Sequence, residues 1–331
     1  MLHRSAVLLV CAIAIAPAIA GQQPKPSSAQ TAQSASQPVG FGDLIRKTVG
    51  FLRVTFLDGT QRKAIAGTCF FVFYGDSRVG EGQGWGYLVT NRHMADPGVE
   101  NGFHYPTQEV SLRVNLKTPN DGNESVELSI PLGGATRWYF PEDSAVDLAV
   151  LPLNLNQQIY DFDPINASSI STSETMQSDK FEPGRSVIFA GFFYQWGGQK
   201  KIQPIVRQGV LAMIPDELIQ TTLHKPGHLY LADVHAFHGN SGSPILINIG
   251  GAHGNVLTMD NYILLGVVSG YWPEDESFNI PAARVLAGEV HDNSGIATIV
   301  PAYELKQLLD SSALQAQRDA LFTEFQRSKK P

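Results

Sequence analysis

Apolar positions along this chain arrive in short bursts. Past residue 40 they gather into runs rich in β-branched and aromatic residues at 51–57, 68–74, 86–91, 110–116 and 148–153. The pattern returns at 186–194, 206–214, 229–233, 245–248, 263–269 and 295–300. Gly, Pro, Asn and Asp bound these runs, as expected for strands closed off by turns. Many short strands without intervening helices predict an all-β fold of sandwiches or barrels. The polar, turn-rich stretch 157–184 reads as a connector between two β units, about 41–156 and about 185–301. Helical spacing appears only at the end, where Leu305, Leu308 and Leu309, then Leu314, Leu321 and Phe325, fall on one face. That predicts a helical tail over 302–331 packed on the barrel surface, with Asp310 and Ser311 interrupting and recapping it. No internal repeat is present.

The ends and the composition narrow the class. Residues 1–20 combine Arg4, an apolar run and Ala18-Ile19-Ala20, and read as an export signal; the run is short of the roughly 20 residues a spanning helix needs. The expected product is exported, periplasmic or secreted, without a stable membrane anchor. Residues 21–40 collapse to Gln, Ser, Ala and Pro and read as a disordered linker. Of 331 residues 43% are hydrophobic, enough for a packed core, and the formal charge of −7 argues against nucleic acid as a partner. With Cys11 in the signal, Cys69 is the remaining thiol, so no disulfide framework forms within the domain; it reads as a small buried hydrophobe.

Three segments carry chemistry. A strand runs into His93 at Leu88-Val89-Thr90-Asn91-Arg92-His93, Asp147 precedes the apolar Leu148-Ala149-Val150, and Ser241 sits in Gly239-Asn240-Ser241-Gly242-Ser243-Pro244. A serine hydroxyl needs an imidazole to take its proton, and the imidazole needs a carboxylate to orient it and stabilise its charged form. Glycines beside Ser241 allow a tight turn whose N–H groups converge on one oxyanion. Asp143 and Asp96 are rival carboxylates, but neither leads directly into an apolar strand.

In this order the segments resemble a trypsin-like serine protease of the chymotrypsin fold, nearer to bacterial exported members than to animal digestive ones. Gly67-Thr68-Cys69-Phe70-Phe71-Val72, Gly266-Val267-Val268-Ser269 and Gly295-Ile296-Ala297-Thr298-Ile299-Val300 extend the likeness, which covers about 41–309. The resemblance implies two six-stranded antiparallel β-barrels with a C-terminal helix, a peptidase domain over 41–310, and an endopeptidase acting on protein or peptide without a cofactor. It assigns Ser241 as nucleophile, His93 as base, Asp147 as orienter, and the Gly239 and Ser241 amides as oxyanion hole. It puts His235 at the base of the primary pocket, with Ala236, Ser269, Gly270, Tyr271 and Gly295 around it. With no carboxylate at that base, cleavage after Lys or Arg is disfavoured, Tyr271 shortens the pocket, and His235 leaves an acidic residue open.

The departures are few. Ser243 stands for the family's second glycine. Asn240 stands for the aspartate of zymogen activation, and the residues before 41 hold no Ile-Val-Gly-Gly start, so no activating cleavage is expected; the Asn240 amide is expected to hold the loop locally instead. No PDZ-like segment follows Val300, so the architecture of the high-temperature-requirement proteases is not implied. His224, His228, His235 and His238 lack familiar zinc spacing, and no metal is expected. A catalytically silent binding module on the same fold is the alternative. An α/β-hydrolase is set aside, because Ser243 breaks Gly-x-Ser-x-Gly and the chain order differs.

Overall fold

The structure, a computed structural model, describes residues 41–134, 136–177, 181–250, 262–279 and 287–328. The expected signal and linker lie outside these. Helix α1 (Phe41–Lys47) leads into the first sheet, built from β1 (Val49–Asp58), β2 (Gln61–Gly75), β3 (Gly84–Thr90), β4 (Thr107–Asn120), β5 (Asn123–Ile130) and β6 (Ala149–Pro152). Helix α2 (Arg92–Ala95) follows β3 directly. The order across the sheet is β5-β4-β1-β2-β3-β6, and β7 (Ile165–Asn166) pairs in parallel with β2.

Successive side chains of a strand point to opposite faces, and β2 uses both. Cys69 and Phe71 join Leu52, Val54, Leu88 and Leu112 in a core belonging to the first sheet, whereas Phe70 and Val72 join the larger core that runs into the second unit. Burial on both sides is why this strand reads as a continuous apolar run instead of an alternating one.

Among the described residues this half does not show the closed barrel expected of it. The strand order ends at β5 and β6 without a ladder between them. Pro131 follows β5 and Pro152 ends β6, removing donors where closure would run. Part of the intervening chain fills in, with Tyr139 exchanging backbone bonds with Val150 at 2.8 and 2.9 Å.

After α3 (Ser173–Met176), the second unit does close. It comprises β8 (Ser186–Gly191), β9 (Ile205–Met213), the short hairpin β10 (Ile219–Gln220) and β11 (Pro226–Gly227), then β12 (Tyr230–Asp233), β13 (Pro244–Asn248), β14 (Tyr262–Asn279) and β15 (Ala287–Pro301). Strands β12-β15-β14-β13-β8-β9 form a closed six-stranded barrel, which the hairpin leaves aside.

The stretch 157–184 is more than a connector. It holds β7 and α3 and buries Phe162, Ile170, Met176 and Phe181. Its polar residues serve local turns: Asn166 accepts from the Ser168 amide and Thr172 from the Thr175 amide.

The tail is two helices, α4 (Ala302–Leu309) and α5 (Ser312–Ser328), broken at Asp310 and Ser311. Leu305 and Leu309 of α4 are fully buried in the larger core. Helix α5 docks on the first sheet, where buried Arg318 donates to the Tyr87 hydroxyl (3.2 Å) and lies over the Tyr74 ring at 4.0 Å. Among the described residues, no helix is long and apolar enough to cross a membrane.

Candidate active site

His93 lies on α2, and Asp147 immediately precedes the first buried turn into β6. Asn91, fully buried, donates from Nδ2 to the Asp147 carbonyl at 2.8 Å and so ties the two segments together. The Asp147 carboxylate is itself fully buried and accepts four hydrogen bonds. Oδ1 takes the His93 amide (3.0 Å), while Oδ2 takes His93 Nδ1 (2.8 Å), Ser269 Oγ (2.6 Å) and Thr222 Oγ1 (2.8 Å). A buried carboxylate so satisfied remains ionised. Burial alone would raise its pKa, but the His93 charge and these donors outweigh burial and lower it. For His93 the balance runs the other way: burial disfavours the imidazolium, yet Asp147 and, further off, Glu100 raise its pKa above 6.5.

Thr222 carries no signal in the sequence. A threonine between two short strands is ordinary, and only the folding back of the β10–β11 hairpin brings its hydroxyl to Asp147 and within 2.7 Å of Ser269 Oγ. Ser269 was expected along the pocket wall. It does line the cleft, but its hydroxyl is spent on Asp147 and its carbonyl accepts from Ser241 Oγ at 3.2 Å.

Ser241 sits in the turn between β12 and β13, and Thr68 of β2 holds that turn from the other half of the molecule. The Thr68 amide donates to the Ser241 carbonyl (2.9 Å) and its hydroxyl to the Gly239 carbonyl (2.7 Å), while that hydroxyl accepts from the Phe192 amide (2.8 Å). Gly242 has φ +85°, and a Cβ there would lie 2.0 Å from the Thr68 carbonyl oxygen, so glycine is required. Asn240, 1% exposed, donates from Nδ2 to the Phe192 carbonyl (2.8 Å) and accepts the Phe237 amide on Oδ1 (2.9 Å). This is the local hold expected of it. Ser243 fits the turn, but its buried Oγ has no hydrogen-bond partner among the described residues. Ser243→Ala is therefore expected to leave stability unchanged or raise it by up to about 1 kcal/mol, read by urea unfolding; a loss above that size would show that the hydroxyl has a partner.

A cleft of about 770 Å³ runs past His93 and Ser241, walled by Thr222, Phe237, His238 and Tyr271. Gly270 also lines it. The structure does not bring His235, Ala236 or Gly295 into this lining. His235 is exposed and stacks on Phe237 at 6.1 Å, Ala236 is buried, and Gly295 backs onto the His235 ring. The ring of Tyr271 instead meets His238 edge-on at 6.1 Å. Glu100, not singled out in the sequence, shares the cleft.

The rival carboxylates are engaged elsewhere: Asp143 accepts the Ala145 amide (2.8 Å) and Asp96 pairs with exposed His104 (2.8 Å). His224 lines the cleft and His228 does not; among the described residues no cluster of three His, Cys, Asp or Glu side chains is placed to hold a metal ion. Cys69 is fully buried, and burial drives its thiol pKa far up, away from the reactive thiolate.

No family model matches the chain, and no curated protein matches it. Solved structures similar to it include the HtrA-type protease AlgW and Deg5. The HtrA-type protease AlgW with a tripeptide aligns at 15% identity and TM-score 0.45, over 80% of this chain and 61% of that one. Deg5 aligns at 16% identity and TM-score 0.40, over 69% of this chain and 81% of that one. The chain thus spans about 61% of the AlgW length.

Proposed function

We propose that the chain is an exported serine endopeptidase. The observation that carries this reading is the buried Asp147 carboxylate bound to His93 Nδ1 at 2.8 Å, which leaves Nε2 for the cleft that His93 shares with Ser241. In the proposed step, Ser241 Oγ adds to the scissile carbonyl as its proton passes to His93 Nε2. The amine then leaves with that proton, and water releases the acyl group by the same route. Ser241 Oγ donates to the Ser269 carbonyl at 3.2 Å, and the proposed step requires it to turn from there to the imidazole.

The oxyanion falls to the Gly239 and Ser241 amides. The neighbouring Asn240, Gly242 and Ser243 amides are each committed to carbonyls within the protein, whereas those two donate to no acceptor among the described residues. Tyr271 and Phe237 in the cleft suit a small or medium residue before the cleaved bond. Residues 1–20 as signal, 21–40 as linker and 41–310 as peptidase domain complete the proposal, which for these bounds rests on composition and pattern.

Labelling by a fluorophosphonate probe tests it, since only an activated serine reacts. Wild-type protein is expected to label and Ser241→Ala not to; absence of labelling favours the silent binding module. The rate should follow the His93 charge. Only the neutral imidazole accepts a proton, and its pKa lies above 6.5, so kcat/KM is expected to rise with pH through a midpoint above 6.5 and to vanish on the acid side. A flat profile between about pH 5 and 8 would exclude a histidine base.

A further inference from the structure

We propose that Glu100 forms the wall of a substrate subsite that takes a lysine or arginine side chain at a residue beside the cleaved bond, on the His93 side of the cleft. What enters the cleft follows from the peptidase reading; what Glu100 selects follows from separate observations.

Among the described residues Glu100 is the one carboxylate lining the cleft; the other ionisable side chains there are His93, His224, His238 and Tyr271. Its Oε2 is buried and has no hydrogen-bond partner among the described residues. A carboxylate oxygen shut away from water without a donor is costly, and a cationic group arriving with substrate supplies the missing donor. The nearest cation in sequence, Arg92, lays its guanidinium over the Phe140 ring at 4.8 Å and makes no bond to Glu100. His93 has its Nδ1 committed to Asp147, though it feels the Glu100 charge.

The backbone presents this group rigidly. Glu100 lies in the 3-10 turn Val99–Asn101, closed by Asn101 N–H to the Gly98 carbonyl (2.9 Å) and Gly102 N–H to the Val99 carbonyl (3.1 Å). Gly98 at φ +90° packs so closely on Tyr105 that a Cβ would lie 2.6 Å from its ring. A carboxylate carried on a fixed backbone turn loses less freedom on binding than one carried on a mobile loop. This subsite is distinct from the Phe237 and Tyr271 part of the cleft proposed for the residue whose carbonyl is attacked, which holds no carboxylate among the described residues.

The test profiles a peptide library with wild-type protein, Glu100→Gln and Glu100→Lys. Wild type is expected to favour Lys or Arg at one position adjacent to the cut. The Gln variant should lose about tenfold in kcat/KM on those peptides relative to norleucine peptides, and the Lys variant should favour Asp or Glu at the same position. Equal losses on lysine and norleucine peptides would overturn the subsite. Binding of fluorescent lysine and norleucine peptides to Ser241→Ala protein, read by anisotropy, separates the two proposals. Preference for lysine that disappears with Glu100→Gln supports the subsite even if the probe never labels Ser241, and no preference overturns it even if the probe does.

Discussion

Ser241→Ala is expected to lower kcat/KM by about ten-thousand-fold or more, and His93→Ala by a similar factor, with the double variant scarcely worse than either. The three groups act as a unit, so removing the nucleophile leaves the base with no proton to take. Neither substitution should disturb the fold. Ser241 Oγ makes one long bond, to the Ser269 carbonyl, and His93 is partly exposed at 20%. Asp147 is different, because four donors point at it from three parts of the chain; removing it would orphan the Ser269 and Thr222 hydroxyls and confuse activity with stability. Hydrolysis of a cleaved library peptide, measured beside the melting temperature, decides the matter. Substantial residual turnover by a folded Ser241→Ala protein would remove Ser241 from the reaction.

Asn240→Asp should cost about 3 kcal/mol or more at neutral pH and reduce turnover on the order of a hundredfold. The isosteric change replaces a donor facing the Phe192 carbonyl with a charged oxygen, in a site 1% exposed where no cation bonds the side chain among the described residues. The penalty has a definite pH dependence. A carboxyl repelled and desolvated in the folded state has a raised folded pKa, so the folded variant binds a proton that the unfolded chain releases above about pH 4. The variant's stability therefore falls relative to wild type as pH rises from about 4 and recovers on acidification. Urea unfolding of both proteins at pH 4 and pH 7 measures this, and a deficit independent of pH would point to packing rather than charge.

Most strands were legible because their residues face a core on one or both sides. Strand β5 was not. Asn-Glu-Ser-Val-Glu-Leu-Ser-Ile lies at the outer edge of the first sheet with mostly exposed or half-exposed side chains, and its pairing with β4 replaces the apolar signal that prediction relies on. Helix α1 is too short for helical spacing to register, although Ile45 anchors it fully buried. The open first sheet was hidden for another reason: whether edge strands meet is a property of three-dimensional curl, to which the prolines at 131 and 152 only contribute.

In the site, the legible residues were those whose chemistry demands a recognisable local frame, such as the glycines around Ser241 or the strand running into His93. Thr222 and Glu100 come from a hairpin and a 3-10 turn of ordinary composition, and only tertiary folding gives them a place. His235 shows the converse. Counting back from Ser241 locates it in sequence, but its ring turns to stack on Phe237 and leaves the cleft to Thr222 and Tyr271.

The hold of Thr68 on the Ser241 turn has a consequence for the order of events during synthesis. Chains emerge N-terminus first, and a first half that folds early carries Thr68, His93 and Asp147 but nothing for them to activate. The Ser241 turn, held locally by Asn240, is completed against the Thr68 amide and hydroxyl, and the last hydroxyl on Asp147 arrives with Ser269. On the proposed reading, a ribosome must therefore pass residue 269 before Ser241 and the full set of Asp147 donors can meet, so an incomplete chain is expected to hold no assembled triad.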